Sequence, residues 1–433
     1  MTGLLATALW AALACSAGAA FPGRRSPGEA LGLGAAALAL VAFWSSLAGI
    51  PLGAPLLAVL GTLALALGAT SLAGSLRRAW QRPSWTEVAC LAWLAATLAV
   101  VFGQALHEPL LSWDARTHWT YLARLLFEEG TVRAPLLYQP TSTLAHRDYP
   151  LLLPLSEWAV FVLQGNADDH GARLVTSTFH LGFLGSLWAL LARVAPRPLP
   201  AVGTALVGST PFLLLLRDGG ASSGYADGLV ALQVAVYLGL VLDWSEQKGP
   251  GPLLLASLAA CGVMFTKREG LPLAILCLLV PLALRPRRWR EVLAHAALLA
   301  LLALPWLVHW QGLPASFGLK AAADPVAAWK GLDRLPWLLV HYTQDLLWSP
   351  ALWGLLWWVV AGLALSGPRH RRPEAVLLAL VLAYLALHVT IYLVFQAPPW
   401  NANPTTRVRT LFHVVPALTL YAGLRAARWS EEP

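Results

Sequence analysis

The sequence predicts an all-α, polytopic transmembrane fold, and three observations carry that expectation. Hydrophobic residues make up 58% of the 433-residue chain and charged residues only 12%. Average soluble domains carry roughly twice that charge, and a surface folded in water needs polar cover that so few polar side chains cannot supply. Apolar runs recur along the whole chain, at residues 29–50, 52–74, 87–106 and 374–395 among others. Each approaches the ~20 residues that a helix needs to cross the hydrocarbon core. Arginines cluster in the short connections between runs: Arg24-Arg25, Arg77-Arg78 with Arg82, Arg285 to Arg290, and Arg369 to Arg372. Such clusters mark the cytoplasmic side. The net charge of +8 is therefore a topology signal and not a sign of nucleic-acid binding.

Residues 2–21 are apolar but lack the basic segment that opens a cleaved signal peptide. They read as a first span with its N-terminus outside. The arginines at 77, 78 and 82 put residues 75–83 inside, so the span over 87–107 exits on the outer face. The next stretch, residues 108–170, is the longest polar one and falls outside the cytoplasm. Later spans are expected at 171–191, 199–216, 225–242, 253–265, 271–284, 292–310, 346–365, 375–395 and 408–424. Residues 149–163 resist this count. Were they to cross, every later arginine cluster would lie outside. Two prolines and Glu157 fit a re-entrant or interfacial helix buried against protein. The total is about 13 spans, with the C-terminus inside. Three units result: a four-span block over 1–107, an extracytoplasmic loop with interfacial or re-entrant helices over 108–170, and a core of about nine spans over 171–433. The four cysteines, Cys15, Cys90, Cys261 and Cys277, all lie within apolar runs. None has metal-ligand or disulfide-framework spacing, so they read as small buried hydrophobes.

The chemistry is expected on the outer face. Residues 113–129 have the pattern of an amphipathic surface helix. Asp114, His118 and Tyr121 stand at i, i+4 and i+7 and would share one face. Asp114 also fits a helix N-cap, with Trp113 and Trp119 as interface anchors. His146-Arg147-Asp148-Tyr149-Pro150 closes the loop, and reads either as a site segment or as a polar turn before a proline-started helix. Asp168-Asp169-His170 reads as a solvated turn, because three adjacent residues cannot all point one way on a helix. The stretch from Arg217 to Asp227, with Tyr225, is glycine-rich and lets backbone approach a ligand closely. Lys267, Arg268 and Glu269 sit in a hairpin close to hydrocarbon, where charges are functional candidates unless they snorkel. Residues 401–409 bring Arg407 and Arg409 to the start of the last span, as phosphate-binding groups or as anchors. Carboxylates, cations and tryptophans on one face suit an enzyme acting on a lipid-linked anionic donor. A carboxylate would act as general base, and Arg and Lys would hold the donor phosphate and stabilise the leaving group.

These segments resemble the GT-C superfamily of membrane glycosyltransferases, which includes protein O-mannosyltransferases and bacterial lipid A aminoarabinose transferases. The likeness is to family-39-type members, over roughly residues 108–425. The chain carries Trp113-Asp114-Ala115, His146 to Leu155 (HRDYPLLLPL), Gly224-Tyr225-Ala226-Asp227 and Lys267-Arg268-Glu269-Gly270. It closes with TRVRTLFHVVPALTLYAG. The resemblance implies a polyprenyl-phosphate-linked sugar donor, inverting transfer and an active site on the extracytoplasmic face of a bacterial inner membrane. It implies a glycan, lipid or protein acceptor, contact with membrane lipids and no nucleic acid. The family's first-loop acid maps to Asp114. Many relatives carry an Asp-Glu pair there, where this chain has Asp114-Ala115. A divalent metal is left open, with Asp148 or Asp227 as the source of a second catalytic carboxylate. A lipid-linked sugar transporter or flippase and a glycan polymerase or ligase are the competing readings. A transporter would place its binding residues near the midplane in repeated, broken helices, whereas here the charges cluster at one face and no repeat is found.

Overall fold

The computed structural model describes residues 2–23, 25–78, 82–139, 146–246, 249–314, 332–366, 370–394 and 404–429. Arg24, Arg369 and residues 401–403 lie outside the described residues, as do the side chains of Arg77 and Arg78. All regular structure among the described residues is helical. The first part of the chain forms α1 (Thr2–Ala19), α2 (Pro27–Leu47), α3 (Ala54–Arg78) and α4 (Trp85–His107). A π-helical turn, Ala115–Trp119, runs into α5 (Thr120–Glu129) and is followed by α6 (Pro135–Tyr138) and α7 (Leu152–Gln164). Then come α8 (Asp169–Ala192), α9 (Leu199–Gly208), α10 (Pro211–Leu215), α11 (Asp227–Glu246), α12 (Gly251–Met264), α13 (Gly270–Leu284) and α14 (Trp289–Gly312). The last group is α15 (Leu335–Leu347), α16 (Pro350–Trp353), α17 (Leu356–Leu365), α18 (Arg372–Val394), α19 (Pro404–Leu411) and α20 (Val415–Trp429).

Eight of these helices are long and apolar enough to cross a membrane, by length and composition. Several expected spans are instead broken by proline, which removes a helix hydrogen bond and clashes with the preceding turn. The 199–216 run splits at Thr210-Pro211 into α9 and α10. The 346–365 run splits at Pro350 and again at Gly354, whose φ is +56°. Helix α7 has 13 residues and is about 20 Å long, short of the ~30 Å hydrocarbon core. It packs on α5, α1 and α2, with Glu157 wholly buried.

Helices α8 and α11 lie at the centre of the bundle, most of their residues being buried, while α3 and α4 are largely exposed and apolar. The exposed side chains on α3 include Leu63, Leu65 and Leu67, as expected of a lipid-facing surface. Lipid provides no hydrophobic force between helices, so close backbone packing has to hold them. Helices α1 and α2 show how. Ala14 and Gly18 on one face Ala30 and Gly34 on the other, four residues apart in each case. A Cβ on Gly34 would stand 1.7 Å from the Ala14 carbonyl oxygen, and one on Gly18 would stand 1.9 Å from that of Ala30. Gly34→Val is expected to destabilise at the upper end of the ~1–3 kcal/mol typical of overpacking. Thermal unfolding in detergent measures this, and an unchanged midpoint would refute the close-packing account.

The two ends of the bundle are both polar. At one end Arg25 and Arg193 meet Asp243 at 3.0 Å each, and Arg193 also meets Glu29 at 2.7 Å. Glu29 and Ser26 form the capping box that starts α2. Nearby, Arg288 donates to the Trp244 carbonyl at 2.8 Å and Arg285 to that of Ser245 at 3.1 Å. Asp243 lies sixteen residues along α11 from Asp227, about 24 Å at 1.5 Å per residue. The expected site residues gather at the Asp227 end.

Candidate active site

The centre of the site is Asp227, the first residue of α11. Its Oδ1 accepts from Lys267 Nζ at 2.8 Å and from His413 Nε2 at 2.8 Å. Its Oδ2 lies 3.6 Å from Arg409 Nε. Since Asp227 only accepts at this contact, the proton is assigned to His413 Nε2, and Nδ1 then accepts from the Tyr384 hydroxyl at 2.6 Å. Asp227, Lys267 and His413 are all buried. A buried carboxylate is tolerable only when paired and hydrogen-bonded, and three cationic or donor groups from three elements supply that here.

Arg409 links this buried cluster to Asp114. Its Nη1 donates to Asp114 Oδ2 at 2.6 Å. Its guanidinium lies over the Tyr225 ring, 4.4 Å from the centroid. Two glycines of the 217–227 loop make room for this arrangement. Gly219, at φ +99°, lets the Arg409 stem pass where a Cβ would stand 2.7 Å from Cδ. Gly224, at φ +80°, sits where a Cβ would stand 2.8 Å from that of Ala115. Both conformations favour glycine. The Tyr225 hydroxyl accepts from the Asp114 backbone N–H and donates to Asp218 Oδ1, both at 3.3 Å. Burial raises its pKa above the ordinary phenol range.

Buried Asp148 and partly buried Arg268 form a second pair, with the Arg268 guanidinium 4.6 Å from the centroid of the Tyr149 ring. Burial lowers the Arg268 pKa to about 10, with Glu269 acting in the opposite sense. Glu269 is held down to about 2: burial acts upward, but Lys267, His413 and a backbone hydrogen bond together outweigh it. Lys267 and Glu269 are 4.0 Å apart. The 266–270 hairpin is tied to the first loop through the backbone as well, since Leu152 N–H donates to the Phe265 carbonyl at 2.8 Å.

His118 and His146 pack edge to face with ring centroids 4.2 Å apart, next to Tyr149. Burial depresses both histidines, His146 to about 3, with His118 and Arg268 adding to the effect there. The Thr117 hydroxyl donates to the Trp113 carbonyl, so it accepts from His118 Nδ1 at 2.9 Å. His118 Nε2 lies 3.8 Å from Asp114 Oδ1, beyond hydrogen-bond distance. Asp114 Oδ1 is thus left without a hydrogen bond among the described residues. A histidine with a depressed folded pKa stabilises the fold above its unfolded pKa of about 6.5, and this is lost as pH falls toward the folded value. The wild type should therefore lose stability relative to His146→Gln between about pH 6.5 and 4, read from unfolding midpoints in detergent. A constant difference across that range would contradict the assignment.

Two expectations need correction. Residues 113–129 are not one continuous α-helix. The wider π turn at Ala115–Trp119 shifts the register, so Tyr121 is exposed and turned from the face of Asp114 and His118. Arg407 and Arg409 do not share a partner. Two residues apart on a helix, they point to different sides, and Arg407 Nε meets Asp345 Oδ2 of α15 at 2.6 Å. Arg217 is exposed at the mouth of a polar cleft that it shares with Ser112, Arg173, Ser222 and Gln104. The structure thus brings Asp114, Tyr225, Asp227, Lys267, Glu269 and Arg409 into one network, with His118, His146, Asp148, Tyr149 and Arg268 beside it. His413, Tyr384 and Asp345 are not among the residues that the sequence singles out. His413 follows Arg409 by four residues, a spacing that could have exposed it. Among the described residues no group of three or more His, Cys, Asp or Glu is arranged to hold a metal ion. Asp114, Asp148 and Asp227 meet arginine or lysine instead.

No family model matches the sequence, and no curated protein matches it either. A solved structure with a similar fold is that of ArnT from Cupriavidus metallidurans bound to undecaprenyl phosphate. The TM-score is 0.51 at 16% identity, over 79% of this chain and 61% of that one. The chain thus spans less than two thirds of the ArnT structure. What the two share is the polytopic helical architecture.

Proposed function

We propose that the chain is a membrane glycosyltransferase that moves a sugar from a polyprenyl-phosphate donor to an acceptor on the extracytoplasmic face of a bacterial inner membrane. The observation that carries this reading is the Asp114–Arg409 pair. Asp114 is the one of the three expected acids that is not buried; Asp148 and Asp227 are about 1% exposed. Asp114 Oδ2 is fixed by Arg409, and Oδ1 remains to take a proton. In an inverting step the acceptor hydroxyl attacks the anomeric carbon as the bond from that carbon to the phosphate oxygen breaks. The hydroxyl proton passes to Asp114 Oδ1, and polyprenyl phosphate leaves with the bonding pair. Arg409 has a further nitrogen, Nη2, uncommitted among the described residues. It can meet the leaving phosphate while Nη1 holds the base. Charge stabilisation of this kind is a large contribution to transfer reactions. Lys267, locked to Asp227, acts through position, and Arg217 at the cleft mouth is an exposed cation for the incoming anion. The undecaprenyl phosphate in the ArnT structure supports a donor of this chemistry.

The test is transfer by the purified protein in detergent or nanodiscs, with a panel of polyprenyl-phosphate-linked sugars and candidate acceptors. Release of polyprenyl phosphate with a new glycosidic bond is expected for at least one pair. Movement of the lipid-linked sugar across vesicles with no chemical conversion would replace this reading with transport.

A further inference from the structure

Helix α18 carries a polar stripe inside an apolar span. Tyr384, His388 and Tyr392 stand at i, i+4 and i+8, and so on one face. Tyr384 is tied to the site through His413. One turn on, the His388 ring packs on that of Tyr384, with centroids 4.6 Å apart. One turn further, Tyr392 faces Tyr342 of α15, with centroids 6.3 Å apart. His388 stands between the two tyrosines on this stripe. It is 2% exposed, and neither ring nitrogen has a hydrogen-bond partner among the described residues. Tyr342 Oη and Glu269 Oε2 are buried and unpartnered there as well. Leaving polar groups buried and unpaired is costly, so unpaired groups around this stripe point to a ligand that completes them.

The pattern of groups specifies that ligand. The cations lie on the Asp114 and Asp227 side and suit phosphate. Away from them, α18 offers an imidazole whose ring nitrogens can donate and accept, while Tyr342 of α15 and Glu269 of the 266–270 hairpin add a phenol and a carboxylate oxygen. This mixture of donors and acceptors matches sugar hydroxyls. We infer that His388, joined to the site through Tyr384 and His413, binds the hydroxyl-bearing sugar ring of the donor. The inference rests on the glycosyltransferase reading and deepens it.

The test is binding in nanodiscs, without turnover, of undecaprenyl phosphate alone and of undecaprenyl-phosphate-linked hexoses. The wild type should prefer at least one glycosylated lipid to the bare lipid phosphate. His388→Leu should fold with an unchanged or raised melting midpoint, because it removes an unpaired buried polar group. It should bind bare undecaprenyl phosphate as the wild type does, yet lose the preference for the sugar at least tenfold. His388→Gln, whose amide both donates and accepts, should retain part of it. If the wild type prefers none of the sugars, the glycosyltransferase reading fails and this inference with it. If the wild type has a preference that His388→Leu keeps in full, the role of His388 is overturned and the transferase reading stands.

Discussion

Asp114→Asn should lower the rate of sugar transfer by about 10²- to 10⁴-fold, the usual share of a general base. Binding of polyprenyl phosphate should be nearly unchanged. The substitution is a sharp one because asparagine has almost the same shape. Its carbonyl can still accept from Arg409 Nη1, as Asp114 Oδ2 does at 2.6 Å. The backbone N–H to the Tyr225 hydroxyl is untouched. The arginine therefore keeps its place over the Tyr225 ring, and the buried cluster behind it keeps its geometry. What disappears is the ability to take a proton at Oδ1. The remaining rate reflects positioning and the cations alone. A loss confined to kcat, with KM for the donor preserved, marks an interaction realised in the transition state. A well-folded Asp114→Asn protein with undiminished kcat would remove Asp114 from the mechanism.

Different parts of this molecule are legible in its sequence for different physical reasons. The membrane fold follows from the length of the apolar runs, a local property. The segments around Asp114, Asp148, Asp227, Lys267 and Arg409 stand out because charge next to hydrocarbon is costly and so rare. How the charges pair is another matter. Arg407 and Arg409 look equivalent in sequence, yet one joins Asp345 and the other Asp114. That choice depends on where α15 passes, and nothing local records it. Periodicity misplaces Tyr121 because it assumes 3.6 residues per turn, and the π turn before Tyr121 breaks that assumption. The Tyr384–His388–Tyr392 stripe carries no formal charge and sits in a run that reads as an ordinary span, so only tertiary packing reveals it. Proline and glycine at Pro350 and Gly354 mark the breaks in the 346–365 run, but overall apolarity masks them.

Asp227→Ala should be the most destabilising change in the site. It strips Lys267 and His413 of their acceptor and leaves Arg409 with Asp114 alone. Lys267 is 3% exposed, so its ammonium cannot turn to water for hydration. Removing one partner of a buried pair costs about 3–5 kcal/mol, most of it the uncompensated charge that remains. A shortfall of that size should appear as a lower melting midpoint in detergent and a smaller folded yield. The origin of the loss can be separated from a simple cavity. Lys267→Met removes the stranded ammonium at similar volume, so the Asp227→Ala, Lys267→Met double variant should regain a large part of the lost stability. Residues in direct contact show such coupling in a double-mutant cycle. Activity should not return with the fold, because Arg409 then lacks the second carboxylate that steers Nη1 onto Asp114. Stability and catalysis thus part company in the double variant: Asp227 supports the fold by neutralising Lys267, and supports transfer by aiming Arg409. If the double variant is no more stable than Asp227→Ala, charge compensation is not what Asp227 provides. If it recovers full transfer, the guiding role of Asp227 is excluded.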